Sequence, residues 1–209
     1  MYLPTDKTKQ FWSHGFGARI YRMHAGKKFL KMHENVAERI IKRNATAVLD
    51  IACGSGDFLL YLATIAPTIS LSGSDFAPGM VACAKEKLGD KATIVEAVGG
   101  TEPFPEHSFD VITIMMAFHH FPNKLETLIK IKRLLKPNGI IIIADVVAKS
   151  DFQKQLWNII ERILNIRGYV DHYTEHDLRK LAKKSGLTFF AMDIPGMPKR
   201  YGYHHFESK

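Results

Sequence analysis

The residues best placed to do chemistry lie where an apolar run meets two glycines: Ala47-Val48-Leu49-Asp50-Ile51-Ala52-Cys53-Gly54-Ser55-Gly56-Asp57-Phe58. Gly54 and Gly56 let the chain turn sharply and let a ligand approach the backbone with no Cβ in the way. A second carboxylate, Asp75, stands nineteen residues beyond Gly56, after a further apolar run. That is close to the ~20 residues at which an acid following the next strand holds ribose hydroxyls. Its two oxygens can accept from both hydroxyls of one ribose, and Phe76 beside it can cover an adenine face. A dinucleotide fingerprint needs a third glycine where Leu59 stands. Asp50 and Asp57 also place negative charge on both sides of the loop, which suits a nucleoside carrying an ammonium and a sulfonium better than a pyrophosphate.

Two further groups could handle a proton. His119 and His120 are adjacent, and adjacent residues are expected to point apart, so His119 is taken to face the cleft. His172, on an insertion before the last helix, is the second candidate general base. No cysteine or acidic cluster accompanies them at a metal-ligating spacing, so no metal site is expected. Cys53 lies at a helix N-terminus, where a thiolate is favoured, yet reads better as a small loop residue. With Cys83 as the only other cysteine, a disulfide framework and a four-cysteine zinc site are both excluded.

The elements that must position these groups alternate along the chain. Short β-branched runs mark strands at Ala47–Ile51, Ile69–Ser74, Thr93–Ala97, Val111–Met115 and Ile140–Val146. Helices are expected near Gly56–Ile65, Pro78–Leu88 and Lys124–Leu135. Such alternation predicts a parallel sheet with right-handed crossovers. Pro78 fits a first helical turn, Asn123 can cap the helix that follows it, and Lys136-Pro137-Asn138-Gly139 reads as a turn with positive φ at the glycine. Asp151–Ile166 repeats apolar residues at three- and four-residue steps. Thr174-Glu175-His176-Asp177 resembles a capping box for a helix ending at Gly186. Leu187–Ile194 and Tyr201–Glu207 then form a hairpin-like ending, and a helix from about His33 to Lys42 precedes the first strand.

Composition sets the outer limits. The 209 residues carry 29 Lys and Arg against 21 Asp and Glu, a net charge of +8, with 46% hydrophobic residues. This excludes a disordered or fibrous chain. No secretion signal or membrane-length apolar run is seen, so a cytoplasmic location is expected. We expect one domain, divided into a helical cap (1–44), a ligand-binding core (45–147), and lid helices with a terminal hairpin (148–209).

Five segments, in order, resemble the class I S-adenosylmethionine-dependent methyltransferases. They are Asp50–Gly56, Ser74-Asp75-Phe76-Ala77-Pro78-Gly79-Met80, Pro103–Asp110, Ala117-Phe118-His119-His120-Phe121 and Leu134–Gly139. The likeness is closest to the small-molecule branch that includes the ubiquinone/menaquinone C-methyltransferases, and is strong only from about Thr46 to Val146. It implies a Rossmann-like, seven-stranded, mostly parallel sheet with helices on both faces and an antiparallel last strand. It also implies S-adenosylmethionine as cofactor and S-adenosylhomocysteine as product. By the same resemblance Asp50 organises the methionine amino group, and Ala52, Cys53, Gly54, Ser55 and Gly56 line methionine and ribose. Asp75 holds the ribose, Phe76 and Met80 pack on adenine, and Met115 offers backbone to the methionine. The branch usually follows its third strand with Gly-Asp-Ala, whose Asp accepts from the adenine amino group. Here Ala97-Val98-Gly99 takes that place, so a backbone carbonyl or water must substitute for Val98, or adenine binding is weaker by about 1 kcal/mol.

The expected acceptor is a small aromatic or lipid-like molecule. His119, His172, Tyr169 and Tyr173 would shape its pocket, and Tyr21 and His33 would close it from the amino-terminal side. The +8 charge raises a nucleic-acid substrate as the second reading, but no Asn/Asp-Pro-Pro-Tyr/Phe tetrapeptide or RNA-binding module accompanies it. A non-catalytic cofactor-binding subunit is the third. The oligomeric state is open.

Overall fold

The computed structural model describes residues 16–164, 170–193 and 201–208. Helix α1 (Phe16–Lys42) leads into strand β1 (Ala47–Ile51), followed by α2 (Asp57–Ile65), β2 (Ser70–Asp75), α3 (Pro78–Leu88), β3 (Thr93–Glu96) and β4 (Phe109–Met115). Then come α4 (Lys124–Lys132), β5 (Leu135–Val146), α5 (Asp151–Leu164), α6 (Glu175–Ser185), β6 (Leu187–Asp193) and β7 (Tyr201–Ser208). The strands form one sheet in the order β3-β2-β1-β4-β5-β7-β6. β1 to β5 run parallel, and β7 is antiparallel to both β5 and β6. The strand order reverses between β1 and β4, so the crevice at their carboxyl ends is where an open α/β sheet binds ligands.

Each sheet face is sealed by its own apolar cluster. On one, Met32, Val36 and Ile40 of α1, Phe58, Leu59 and Leu62 of α2, and Val81, Ala84 and Leu88 of α3 cover Val48, Val111 and Ile142. On the other, Leu128 and Ile131 of α4 with Leu178 and Ala182 of α6 cover Leu49, Ile112 and Ile141. Near-continuous apolar strands follow from this two-sided burial.

The differences from the expected elements have local causes. α1 begins at Phe16 rather than near His33; its polar stretch Arg22–Lys28 hides the helical period. α4 stops at Lys132, and the turn cluster Lys136–Gly139 lies inside β5, where the pairing with β4 shifts register between Phe109 and Val111. The positive φ falls on Asn138 (62°) and not on Gly139. Gly139 is needed for closeness instead, since a Cβ there would come within 2.9 Å of the Lys136 carbonyl. Asn123 occupies the N-cap position of α4, but its side chain makes no capping bond. Pro78 opens α3, and the Thr174–Asp177 capping box and Gly186 (φ 68°) bound α6.

Candidate functional site

The site builds outward from the carboxyl end of β1. Ala52, Gly54 and Gly56 have φ of 58°, 55° and 76°, a left-handed backbone that glycine adopts without strain. A Cβ on Gly56 would meet Leu88 at 2.8 Å, so this glycine lets α2 pack on α3. A Cβ on Gly54 meets nothing within 4 Å, leaving open space above the loop. Asp75 fixes that loop: its Oδ2 accepts from Gly54 N–H and its Oδ1 from Ala77 N–H, both at 2.9 Å. Each oxygen keeps lone pairs for a further donor.

Asp50, 2% exposed, accepts from the Thr113 hydroxyl at 2.7 Å. Burial pushes its pKa up to about 7, the Thr113 bond counters this, and the charge of Asp75 adds to it. Burial likewise lifts Asp75 to about 6 against the backbone N–H bonds it accepts. Among the described residues neither carboxylate is ion-paired, and the two lie close enough for the charge of Asp75 to raise Asp50. Asp57 does not add to them, because it is ion-paired with Lys87 and bonded to Ser55. The Cys53 thiol is pushed well above its ordinary pKa by burial and by the charges of Asp50 and Asp75, which opposes a thiolate.

At the adenine end of the expected site Phe76 is half-buried, and Met80 is buried outside both core clusters. The Val98 carbonyl already accepts from Thr101 N–H (2.8 Å) and its hydroxyl (2.7 Å). Gly99 lies against Phe121, whose ring a Cβ would reach at 2.7 Å. Glu102, missed in the sequence, ties this loop to the end of β2. Its Oε1 accepts from Ser74 and its Oε2 from Gly100 N–H at 2.8 Å. Nothing in the local sequence sets this one acid apart. Met115, half-buried at the end of β4, pairs with Ala144 of β5.

His119 sits just beyond β4 in a single 3-10 turn, Phe118–His120. Its backbone N–H reaches Asp145 Oδ2 at 3.1 Å, and its ring Nδ1 reaches Oδ1 at 2.8 Å. Asp145, fully buried at the end of β5, also accepts from Val146 N–H (2.7 Å) and the Tyr173 hydroxyl (2.9 Å). Burial alone would raise this carboxyl; the His119 charge and hydrogen bond, with Val146 and Tyr173, hold it at about 2. An ionised carboxylate only accepts, so the Nδ1 proton lies on His119, and Nε2 is the nitrogen left for other work. Asp145 interrupts an otherwise apolar strand, and a buried charge must be paired; that was the signal in the sequence for this partner.

The two adjacent histidines do not point apart. The tight turn brings their ring centroids within 4.2 Å. His172 stacks on His119 at 5.6 Å, 11° from parallel, and the Trp157 ring meets His172 edge-on at 5.1 Å. Tyr173 is 3% exposed, packs beside Phe118 with its hydroxyl on Asp145, and lines a groove together with His172. His33 stands apart, against Phe58 and Tyr61 of α2 on the opposite sheet face, with burial lowering its pKa to about 4. Tyr21 falls in α1, its side chain outside the described residues, and Tyr169 lies outside them altogether.

Residues 49–143 match the family model described as a methyltransferase domain. Demethylmenaquinone methyltransferase of Deinococcus radiodurans is 32% identical over 112 residues, covering 52% of this chain and 46% of its own. The Thermus thermophilus enzyme of that name is 31% identical over 119 residues, covering 56% and 54%. The chain thus spans about half the length of these relatives. An O-methyltransferase family protein from Burkholderia thailandensis shares the fold, with TM-score 0.77 and 17% identity over 97% of this chain and 63% of that one. The matched residues 49–143, a little under half of the chain, hold both the glycine loop and His119, and are similar to a methyltransferase domain.

Proposed function

We propose that the protein transfers a methyl group from S-adenosylmethionine to a small, lipid-like aromatic acceptor, with His119 as the proton acceptor. One observation carries the reading: two buried carboxylates with raised pKa, Asp50 and Asp75, lie toward the same carboxyl ends of the parallel strands as a histidine oriented by a buried aspartate. The names of the relatives, demethylmenaquinone methyltransferases, support an acceptor of the quinone kind.

S-adenosylmethionine supplies an activated methyl group on a positively charged sulfur. Asp50 would hold the methionine ammonium, and Asp75, already braced by Gly54 and Ala77, would take the ribose hydroxyls. Gly54 leaves room for the ligand against the backbone. The adenine amino group has no carboxylate at Val98, and the Val98 carbonyl is engaged by Thr101, so water or another acceptor serves it. Beyond the methyl group, His119 would accept the proton the acceptor gives up, through Nε2. Asp145 would hold the ring and stabilise the imidazolium that forms. Positioning of nucleophile, methyl and sulfur in line would supply much of the remaining acceleration.

Calorimetry with S-adenosylhomocysteine, and methyl incorporation into a demethylated quinol, test this. His119→Ala is expected to leave S-adenosylhomocysteine affinity unchanged while lowering turnover by roughly 10²–10⁴. Absence of calorimetric binding would defeat the cofactor assignment. Incorporation into bulk tRNA with steep salt dependence, and none into the quinol, would transfer the activity to a nucleic-acid acceptor.

A further inference from the structure

A groove of about 400 Å³ is lined by α4, by α6, by Lys154 of α5 and by the segment that carries His172 and Tyr173. That volume falls in the range of small-molecule sites, roughly 300–1,000 Å³. Its charged groups sort into pairs with a remainder. Lys124 is paired with Asp171 at 3.4 Å, and Lys154 with Asp177 at 2.8 Å. Both acids have further donors: Asp171 accepts from Asn158, and Asp177 from the backbone N–H and hydroxyl of Thr174 in the α6 capping box. Lys180 and Lys184 are left over, in no ion pair among the described residues. They stand one turn apart on α6, where like charges repel each other unless an anion lies between them. Pro122, Leu125 and Leu181 supply apolar lining in the same groove.

We propose that this groove binds a small phosphomonoester with an apolar or aromatic body. The charge fits, because two uncompensated lysines match the dianion that a phosphomonoester forms above its second pKa of about 6. The side-chain type fits as well. A lysine ammonium is a compact point charge that suits phosphate, whereas a planar carboxylate is better matched by the fork of an arginine. Among the described residues no arginine lines the groove. A nucleic-acid backbone is the poorer match, since it is tracked by a row of cations with stacking aromatics, and here the two free lysines occupy one helical turn. The groove also shares its lining with the surroundings of His119. His172 stacks on the His119 ring, and Tyr173 donates to Asp145, which holds that ring. The inference rests on neither the cofactor nor the acceptor proposed above.

The test is calorimetric titration of the full chain with phenyl phosphate, inorganic phosphate and phenol, with the His172 ring signals followed by NMR. Phenyl phosphate is expected to bind roughly tenfold or more tighter than either inorganic phosphate or phenol, and more weakly as salt is raised. Lys180→Gln/Lys184→Gln should weaken it roughly tenfold or more. Lys85→Gln/Lys91→Gln, which removes the same net charge from α3 and the turn after it, should leave the affinity unchanged. All four lysines are exposed, so the substitutions leave folding intact. The inference is overturned if the wild type does not bind phenyl phosphate, if phenol binds as tightly, or if the Lys180→Gln/Lys184→Gln variant binds equally well. An equal loss in the Lys85→Gln/Lys91→Gln variant would reduce the effect to general charge attraction, and unmoved His172 signals would put the ligand elsewhere; either result overturns it. So does displacement of bound phenyl phosphate by an RNA oligonucleotide that binds more tightly, which would reassign the groove to nucleic acid.

Discussion

Asp50 and Asp145 end two strands of one sheet, both almost fully buried, yet their carboxyls are driven in opposite directions. Asp145 collects four donors and is held at about 2; Asp50 has the Thr113 hydroxyl and rises to about 7. Burial raises both; the neighbouring charge decides the sign, His119 with its hydrogen bond and the other donors lowering Asp145 while Asp75 raises Asp50 further. Asp145 is thus a finished structural anion, whereas Asp50 awaits a cation. If S-adenosylmethionine binds the ionised Asp50, its affinity should be roughly tenfold weaker at pH 6 than at pH 8, as follows from a group titrating near 7. Calorimetry across that range checks it, and Asp50→Asn should flatten the profile as well as weaken binding. The same variant should stabilise the free protein. A carboxyl raised above its unfolded value costs stability as pH climbs from about 4 through 7, so the gain of Asp50→Asn over wild type should grow across that window. Denaturant midpoints at pH 5 and pH 8 would reveal it, with a difference on the order of 2 kcal/mol expected.

At the level of elements, local chemistry decided what could be read. The glycine loop, Pro78 at the start of α3 and the box at the start of α6 declare themselves within a few residues, and the structure places them where the sequence puts them. What depended on distant contacts was hidden. The partnership of His119 with Asp145 and Tyr173 joins three separate parts of the chain. The long β5 absorbs a turn because its register with β4 shifts, and the close approach of His119 to His120 follows from a 3-10 turn with no sequence mark of its own. The α6 box offers a clean test of an element acting alone. The Thr174 hydroxyl accepts from Asp177 N–H, and the Asp177 carboxylate accepts from Thr174 N–H at 3.0 Å. Thr174→Ala should lower stability by about 1 kcal/mol. Thermal unfolding measures that, and S-adenosylhomocysteine affinity should be unaltered, since α6 packs on the sheet away from the β1 and β2 ends.

For the molecule as a whole, response to acid follows from two histidines packed among apolar rings on opposite sides of the sheet, His33 half-buried and His204 buried. His33 lies between α1 and α2, and His204 of β7 stacks on Phe189 of β6 at 5.6 Å; burial lowers each to about 4. A histidine held neutral when folded binds fewer protons than in the unfolded chain between pH 6.5 and 4. Its contribution is therefore intact above 6.5 and is lost as pH falls toward 4. Asp145 adds a second loss below that, from about 4 to 2, as its four donors lose an anion. His204 is the sharper probe, because neither ring nitrogen has a hydrogen-bond partner among the described residues and the ring is 4% exposed. Leaving a buried polar group unpaired costs free energy even at neutral pH. His204→Phe should therefore stabilise the protein by roughly 1 kcal/mol at pH 7. Its advantage should widen to on the order of 3 kcal/mol by pH 4, the worth of moving one proton site by that interval. Chemical denaturation at pH 7, 5.5 and 4 would show a widening gap; a constant one would mean that the unfolded and folded chains protonate residue 204 alike.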